Sequence, residues 1–413
     1  MKPAGQEVVP DVGDEIPRGD GAHPHETTGV GKTVEDQERN ARLLADYQYE
    51  EYPVAITGFT GQDLQCVEYI SRVPATRVRV GPRGNFKSAL AQLPDGKLVV
   101  AVCRYNNAED PRQKVFDVHV YESGDLGCNW QEIGRTPLFG KEPSMAALPG
   151  GGLVLITHGA FFAQGPNQAH HIASSIDGGR TWDVGVLAGH DYPRSFVTEP
   201  DGSLLIISAR DSSWTDATKG SPNLLVRRST DRGKTWDVTE GLVDWNWPGF
   251  GEVAAIRLKD GRLLAALRRQ IPGTTGEGFQ DTVLTESTDD GGTWSRPWQL
   301  TATAQVHAYL SELHDGRILC TYSNYHVPYG TSAVLSEDKG RHWNLDNPIR
   351  LATSAGIFTG WGSTLQLEDD SLVTCYAVSS YDKWQPRMPA VYQYGGHQAF
   401  DIVTSEVVRW RLA

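Results

Sequence analysis

The sequence predicts an all-β fold, a six-bladed β-propeller preceded by an N-terminal extension. Two repeated elements and their spacing indicate it. The first is a pair of apolar strands joined by a turn of the Asp-Gly type, and the second is a Ser-x-Asp-x-Gly-x-x-Trp segment that comes after the pair. A repeat of about 50 residues with two hairpins has the size of a four-stranded propeller blade.

The hairpin turn between apolar strands occurs six times. An Asp-Gly pair between two apolar runs favours a hairpin because glycine adopts the positive φ at which the strands reverse. The steps between successive turns are 55, 51, 59, 55 and 54 residues, which predicts six blades. The turns lie at residues 93–96, 148–151, 199–202, 258–261, 313–316 and 367–370.

The Ser-x-Asp-x-Gly-x-x-Trp segment comes after each of the first five hairpins. Its aspartate can accept hydrogen bonds from turn amides, its glycine tolerates an unusual backbone angle, and its tryptophan buries a large surface. We therefore expect it to fasten an outer hairpin and to have no catalytic role. The copies span residues 123–130, 175–182, 229–236, 287–294 and 336–343.

The two ends of the chain are expected to complete the ring. Residues 1–60 form the N-terminal extension, in which a polar stretch precedes one short helix at 34–52. The propeller covers residues 61–413. Since the last repeat lacks the second motif, a strand at 406–412 and an N-terminal strand within 67–80 should complete the sixth blade. A seventh blade built from the N-terminal region is the alternative.

Composition and charge exclude several classes of partner. Among 413 residues, 51 are acidic and 38 basic, so the net charge of −13 repels nucleic acid and anionic membranes. Neither a spanning apolar run nor a signal peptide is evident, which leaves the cytoplasm and a processed secreted form both open. No His, Cys and Asp cluster at metal-ligand spacing, so no metal or other cofactor is predicted. The oligomeric state stays open.

The five cysteines are few and widely spaced, with no Cys-x-x-Cys pair. This pattern predicts thiols outside any disulfide, placed in strands. They are Cys66, Cys103, Cys128, Cys320 and Cys375.

Charged residues flank the inner hairpins at positions that the repeat places around one axis. The first strand of each hairpin runs down to the turn and the second returns, so residues before the first and after the second share a rim. Charged side chains there predict a binding pocket. Nine residues before each turn stand Lys87, Glu142, Pro193 with Arg194 beside it, Glu252, His307 and Trp361. Seven or eight residues after it stand Arg104, His158, Arg210, Arg268 with Arg269, and Asn324.

The five Ser-x-Asp-x-Gly-x-x-Trp segments are Asp-boxes, also called BNR repeats, and the chain from about residue 80 resembles the sialidase (neuraminidase) superfamily of six-bladed propellers. Segment 251–268 resembles the sialidase segment that carries a pocket glutamate, here Glu252, and the second arginine for the substrate carboxylate, here Arg268. The resemblance also places Arg104 within one position of a sialidase arginine. It puts Asp110 on the loop that holds the acid/base aspartate, with Glu109 as its competitor.

Three departures from the sialidase pattern argue against cleavage of sialic acid by the covalent tyrosyl route. Lys87 replaces the first arginine, and a lysine cannot grip a carboxylate with two parallel hydrogen bonds. Trp361 stands where sialidases have the nucleophilic tyrosine, and Ala377 replaces the glutamate that activates it. A third arginine is not found.

The first functional hypothesis is a glycoside hydrolase for an acidic or related non-reducing-end sugar. Hydrolysis needs a carboxylic acid and a second carboxylate. Glu142, Glu252 and Asp110 can supply the pair. The residues expected to bind substrate are Lys87, Arg104, Arg194, Arg210 and Arg268, with Tyr309 and Trp361 as stacking faces.

Two other functions remain open from the sequence. A polysaccharide lyase acting on a uronic-acid glycan would use His307 as base, Tyr309 or Tyr325 as acid and the cationic residues as neutralisers. A propeller that binds glycans without catalysis is the third hypothesis.

Overall fold

The computed structural model describes residues 54–57, 72–105, 116–158, 170–187, 192–209, 223–242, 252–270, 280–326, 329–354, 358–379 and 403–412. Over these ranges the secondary structure consists of β-strands. They are β1 (Val54–Thr57), β2 (Arg72–Arg79), β3 (Asn85–Gln92), β4 (Leu98–Tyr105), β5 (Phe116–Ser123), β6 (Gln131–Phe139), β7 (Lys141–Ala147), β8 (Leu153–His158), β9 (His170–Ser175), β10 (Asp183–Leu187), β11 (Tyr192–Pro193), β12 (Phe196–Thr198), β13 (Leu204–Ala209), β14 (Asn223–Ser229), β15 (Asp237–Leu242), β16 (Glu252–Arg257), β17 (Leu263–Gln270), β18 (Gln280–Ser287), β19 (Trp298–Gln299), β20 (Gln305–Glu312), β21 (Ile318–Asn324), β22 (Gly330–Ser336), β23 (Ile349–Thr353), β24 (Gly360–Gln366), β25 (Leu372–Ser379) and β26 (Val403–Trp410).

The strands form six antiparallel four-stranded blades, which confirms the predicted propeller. In chain order they are β3–β6, β7–β10, β12–β15, β16–β19, β20–β23 and, for blade six, β24–β26 with β2. The first strand of each blade is the innermost. Each predicted Asp-Gly turn joins the first strand of its blade to the second.

The N-terminal strand closes the ring, as predicted. Strand β2 pairs antiparallel with β26, from Ala75 opposite Trp410 to Arg79 opposite Glu406, and so supplies the outer strand of blade six. Strand β1 pairs with both β2 and β23 and therefore links the outer edges of blades five and six. The predicted helix at 34–52 and Cys66 lie outside the described residues.

The hydrophobic core lies between neighbouring blades. Successive residues of a strand point to opposite faces of a sheet, and both faces of a blade are covered by its neighbours. In β4, Leu98 and Val100 pack toward blade six, whereas Val99 and Ala101 pack toward blade two. A continuous apolar run is therefore required, and residues 98–103 are fully buried.

The Ser-x-Asp-x-Gly-x-x-Trp turns begin at the end of the third strand in each of the first five blades, and all five use the same hydrogen bonds. In the copy of blade three, Ser229 Oγ donates to Asp231 Oδ1 at 2.8 Å, Gly233 N donates to Ser229 Oγ at 2.8 Å, and Trp236 Nε1 donates to Gly233 O at 3.1 Å. Burial opposes ionisation of Asp231, but hydrogen bonds led by that from Thr235 lower its pKa to about 2. These contacts agree with a structural role.

The described cysteines Cys103, Cys128, Cys320 and Cys375 take part in no disulfide bond. Three of them lie in strands as predicted. Cys128 does not, because it falls inside the first Ser-x-Asp-x-Gly-x-x-Trp turn, where Cys128 N donates to Asp125 O at 3.3 Å.

Replacing Gly291 with alanine is expected to destabilise the fold more than the same change at Gly261. Both glycines have φ near +90°, 88° and 91°, so alanine meets the same backbone strain at either position. A Cβ at residue 291 would lie 2.4 Å from Cγ2 of Val226 in the preceding blade, whereas a Cβ at residue 261 meets no atom within 4 Å. Overpacking of this kind costs ~1–3 kcal/mol.

Urea unfolding of the two variants measures the difference in the free energy of unfolding. Gly261→Ala is the matched control for backbone strain, so the expected difference reports the clash with Val226 alone. Equal losses in the two variants would show that the motif glycine is not packed against the neighbouring blade.

Candidate active site

The inner strands of four blades are irregular at the same position, nine residues before the hairpin turn. Lys87, Glu142, His307 and Trp361 have φ of 46°, 59°, 58° and 50°. At each of them the pairing with the second strand shifts register, which is the signature of a β-bulge. Non-glycine residues at positive φ are strained and concentrate at functional sites. The bulges mark one end of the central channel as the candidate site.

Blades three and four position their residues in another way. Tyr192 and Pro193 pair in parallel with Glu252 and Val253, and Arg194 N donates to Val253 O at 2.8 Å. The chain entering blade three is thus held against the inner strand of blade four. This pairing brings the Arg194 side chain next to Glu252.

Glu142 is held between two cations. Its Oε1 accepts a hydrogen bond from Lys87 Nζ, and its Oε2 lies 3.7 Å from Arg194 Nη1. Lys87 Nζ also lies 4.2 Å from the centroid of the Trp361 ring, a cation–π contact. Lys87, Glu142 and Trp361 are all buried.

Glu252 is held by two arginines. Its Oε1 accepts from Arg268 Nη1 at 2.7 Å, and its Oε2 accepts from Arg194 Nη1 at 3.3 Å. His307 Nε2 lies 3.5 Å from the same Oε2. Arg268 Nε donates to Gln280 Oε1 at 2.7 Å, which fixes the guanidinium plane. Arg194 therefore joins both carboxylates into one group, the carboxylate cluster, made of Lys87, Glu142, Arg194, Glu252, Arg268 and His307.

The contacts of His307 define its tautomer. Arginine nitrogens only donate, so Nε2 of His307 accepts from Arg268 Nη1 at 3.0 Å. The proton is then on Nδ1, which lies 2.9 Å from Ser323 Oγ and 3.3 Å from Tyr325 OH. The Nε2 lone pair that a general base would need is already engaged.

A small central cavity adjoins the carboxylate cluster. Trp361, 3% exposed, and Glu142, 7% exposed, both line it. Neither Trp361 Nε1 nor Glu142 Oε2 has a hydrogen-bond partner among the described residues. Burial raises the pKa of Tyr309, which also lines the cavity, to about 12. The lining residues are Lys87, Ser88, Ala89, Leu90, Glu142, Pro143, Ser144, Met145, Arg194, Tyr309, Trp361, Gly362 and Ser363.

The structure brings together most of the residues that the sequence placed on the inner rim. All six members of the carboxylate cluster were predicted, as were Tyr309 and Trp361 beside them. Trp361 does not offer a stacking face, because its ring packs against the rings of His307 at 4.7 Å and Phe86 at 5.2 Å. Asp110 and Arg210 lie outside the described residues.

Arg104 does not join the cluster, contrary to the sequence expectation. Its Nε donates to Asn85 Oδ1 at 2.8 Å, and its Nη2 donates to Tyr121 OH at 2.6 Å and lies 3.7 Å from Glu132 Oε2. Arg104 stands eight residues after its turn, whereas Arg268 stands seven, so the two point to opposite faces of their strands. Only the seventh position faces the next blade and the cluster.

Ser323 and Gln280 support the cluster but were not predicted from the sequence. Ser323 bonds His307 and stands seven residues after its turn, so the register that identified Arg268 could have found it. Gln280 begins the third strand of blade four and supports Arg268. Nothing in the repeat marks that position.

No described group of three or more His, Cys, Asp or Glu side chains is arranged to hold a metal ion. Within the same ranges there is no helix that could cross a membrane.

Comparison with protein families finds no matching family model. Among curated proteins, a xyloglucanase from Paenibacillus sp. is 26% identical over 200 residues, which is 44% of this chain. The match spans only 18% of that protein's length.

Solved structures match over most of the propeller. An α-L-arabinofuranosidase from Fusarium graminearum aligns with a TM-score of 0.57 and 15% identity, covering 81% of this chain and 97% of the other. The NanB sialidase from Streptococcus pneumoniae aligns with a TM-score of 0.56 and 11% identity, covering 81% and 70%. The chain has the sialidase-type six-bladed propeller fold. At these identities the likeness establishes the fold, and the chemistry has to be argued from the site.

Proposed function

We propose that this propeller is a glycoside hydrolase that removes a terminal sugar residue, with Glu142 as the carboxylate that acts at the anomeric centre. One observation carries the proposal: Glu142 lines the central cavity with Oε1 held by Lys87 and Oε2 without a hydrogen-bond partner among the described residues. Hydrolysis needs one such carboxylate and a second carboxyl group that acts as acid.

Glu142 suits the role of base or nucleophile. Lys87 holds its Oε1, while its Oε2 lies 3.7 Å from Arg194 Nη1 without a hydrogen bond to any described residue. Glu142 also lines the cavity, and in the proposed reaction its Oε2 attacks the sugar or takes a proton from water. Trp361 stands where sialidases have their nucleophilic tyrosine and has no hydroxyl group. A carboxylate must therefore react with the sugar or activate the water itself.

Glu252 suits a positioning role. Both of its oxygens already accept hydrogen bonds from arginines, so a proton on either would displace one of them. The acid that protonates the leaving oxygen is then Asp110, which the sialidase resemblance assigns to that task and which follows β4 by five residues.

A lyase mechanism is not supported by the cluster. The base it requires is His307, whose Nε2 accepts from Arg268. The comparisons support the hydrolase proposal, because the similar structures bear the names of an arabinofuranosidase and a sialidase and the matched relative is a xyloglucanase.

The test is hydrolysis of aryl glycosides and natural oligosaccharides by the wild-type protein and by Asp110→Asn. Wild type should release reducing sugar without an unsaturated product absorbing in the ultraviolet. Asp110→Asn should lose roughly 10²–10⁴-fold in activity on substrates with poor leaving groups. It should keep its activity on dinitrophenyl glycosides, because their leaving group needs no acid.

Three results would contradict the proposal. An unsaturated product would establish a lyase. Binding without turnover on any substrate would establish a glycan-binding propeller. A loss in Asp110→Asn that does not depend on the leaving group would remove Asp110 as the acid.

A further inference from the structure

The ammonium group of Lys87 is buried against one carboxylate and two aromatic rings. Its Nζ donates a hydrogen bond to Glu142 Oε1, and the two side chains are 7% and 6% exposed. Nζ also lies 4.2 Å from the centroid of the Trp361 ring and 5.1 Å from that of Phe86. Burial alone would favour a neutral lysine, but a carboxylate and the face of an aromatic ring both favour the charged ammonium. We therefore expect the pair to stay ionised.

Lys87 also supplies most of the charge compensation of Glu142. Among the described residues, no other side chain donates a hydrogen bond to this carboxylate. Arg194 Nη1 lies 3.7 Å from Glu142 Oε2 without bonding it and donates to Glu252 Oε2 at 3.3 Å. Coulomb attraction grows as two charges approach, so removing the lysine takes away the larger share of the compensation.

Four other polar groups surround Glu142 or its partners. Arg194, on the chain entering blade three, keeps its charge throughout the pH range of enzymes. Glu252 on β16 is linked to Glu142 through that arginine, and His307 on β20 lies 3.5 Å from Glu252. Tyr309, also on β20, has a pKa raised by burial to about 12 and is neutral below it. A spectroscopic signal specific to Glu142 therefore separates its titration from those of Glu252 and His307.

We propose that Lys87 is a positioning residue for Glu142: its ammonium, held over the Trp361 ring, fixes one carboxylate oxygen and keeps the group ionised for reaction through the other. This role rests on the proposed hydrolase function and adds to it a residue that acts through the reacting carboxylate. It differs from the substrate contact expected from the sequence, because the ammonium already bonds a carboxylate of the protein.

The pH profile of kcat/KM in Lys87→Met tests this role, because methionine fills a similar space without the charge. Losing the cation favours the protonated form of Glu142, so the acidic limb of the profile should move to higher pH by roughly one unit or more. An activated aryl glycoside serves as substrate, and KM should change little. Lys87→Arg, which keeps a cation, should stay close to the wild-type limb.

Lys97→Met is the matched control. Lys97 belongs to the same hairpin but follows its turn, at the far end from the carboxylate cluster, and its Nζ lies 3.5 Å from Glu122 Oε2. The substitution removes a lysine charge from blade one without touching Glu142. It should leave the pH profile unchanged.

A second measurement does not depend on turnover. In protein labelled with ¹³C at the glutamate carboxyl carbons, the NMR signal of Glu142 is identified by its absence from Glu142→Gln and followed through the acidic pH range. It should titrate at higher pH in Lys87→Met than in wild type. Trp361→Leu, which removes the ring from the ammonium, should move the signal in the same direction, and Trp361→Phe, which keeps a ring, should move it less.

Two results would overturn the proposal. The first is a Glu142 signal that titrates alike in wild type and Lys87→Met or, if that variant fails to fold, alike in wild type and both Trp361 variants. The second is a raised KM in Lys87→Met with an unmoved acidic limb, which would identify Lys87 as a substrate contact. A shifted Glu142 signal in a protein that hydrolyses no glycoside would refute the proposed function and leave the action of Lys87 on Glu142 standing, so the two failures are distinguishable.

Discussion

Glu142→Gln is expected to lower kcat for glycoside hydrolysis by roughly 10²–10⁴-fold. The amide has the same shape as the carboxylate but can neither take a proton from water nor attack the anomeric carbon. The bulge that places Glu142 at φ 59° is a backbone feature, so the substituted side chain should occupy the same position. Steady-state kinetics on an activated aryl glycoside measure the loss in kcat. The leaving group of such a substrate needs no protonation, so the general acid does not affect the result.

Two controls separate lost chemistry from a lost pocket. Glu312→Gln changes a glutamate at the other end of inner strand β20, where Glu312 Oε2 accepts from Lys259 N, and should leave kcat unchanged. Glu142→Ala assayed with formate or azide should regain activity, because the small anion fits the space of the missing carboxylate. Full activity in Glu142→Gln would exclude Glu142 as the reacting carboxylate and contradict the proposed function.

The fold could be predicted because each blade repeats its local signals. Asp-Gly turns at near-constant spacing set the number of blades, and the apolar runs beside them require burial on both faces. The same spacing placed Lys87, Glu142, Glu252 and His307 around one axis. Counting seven or eight residues from a turn does not decide which face of the strand a side chain is on. Arg104 was misplaced for this reason, because it stands one position beyond the equivalent of Arg268.

The bulges and the parallel pairing could not be predicted. No residue type at Lys87, Glu142, His307 or Trp361 signals a positive φ, since the strain is imposed by packing of the inner strands. Blade three departs from the others at Pro193, which has no N–H to donate to an antiparallel partner. The chain there pairs with blade four instead, and this places Arg194 between two glutamates.

Glu252→Gln is expected to lower the free energy of unfolding by ~3–5 kcal/mol, the cost of removing one member of a buried ion pair. Arg194 and Arg268 would keep their charges without the carboxylate that compensates them. Hydrolysis should fall as well, because the guanidinium of Arg194 would no longer be held between Glu252 and Glu142. Denaturant unfolding and kinetics on the same preparation measure both effects.

The matched control is Glu199→Gln, which removes the carboxylate that accepts from Arg257 Nη2 at 2.7 Å, away from the cluster. Arg257 keeps Asp290 Oδ1 at 2.8 Å and is partly exposed, so the loss should be ~1 kcal/mol or less. The double variant Glu252→Gln/Arg268→Gln should be less destabilised than the sum of the two single variants, because it removes an uncompensated charge. Strict additivity would mean that Glu252 and Arg268 do not stabilise each other, and the positioning role assigned to Glu252 would then fail.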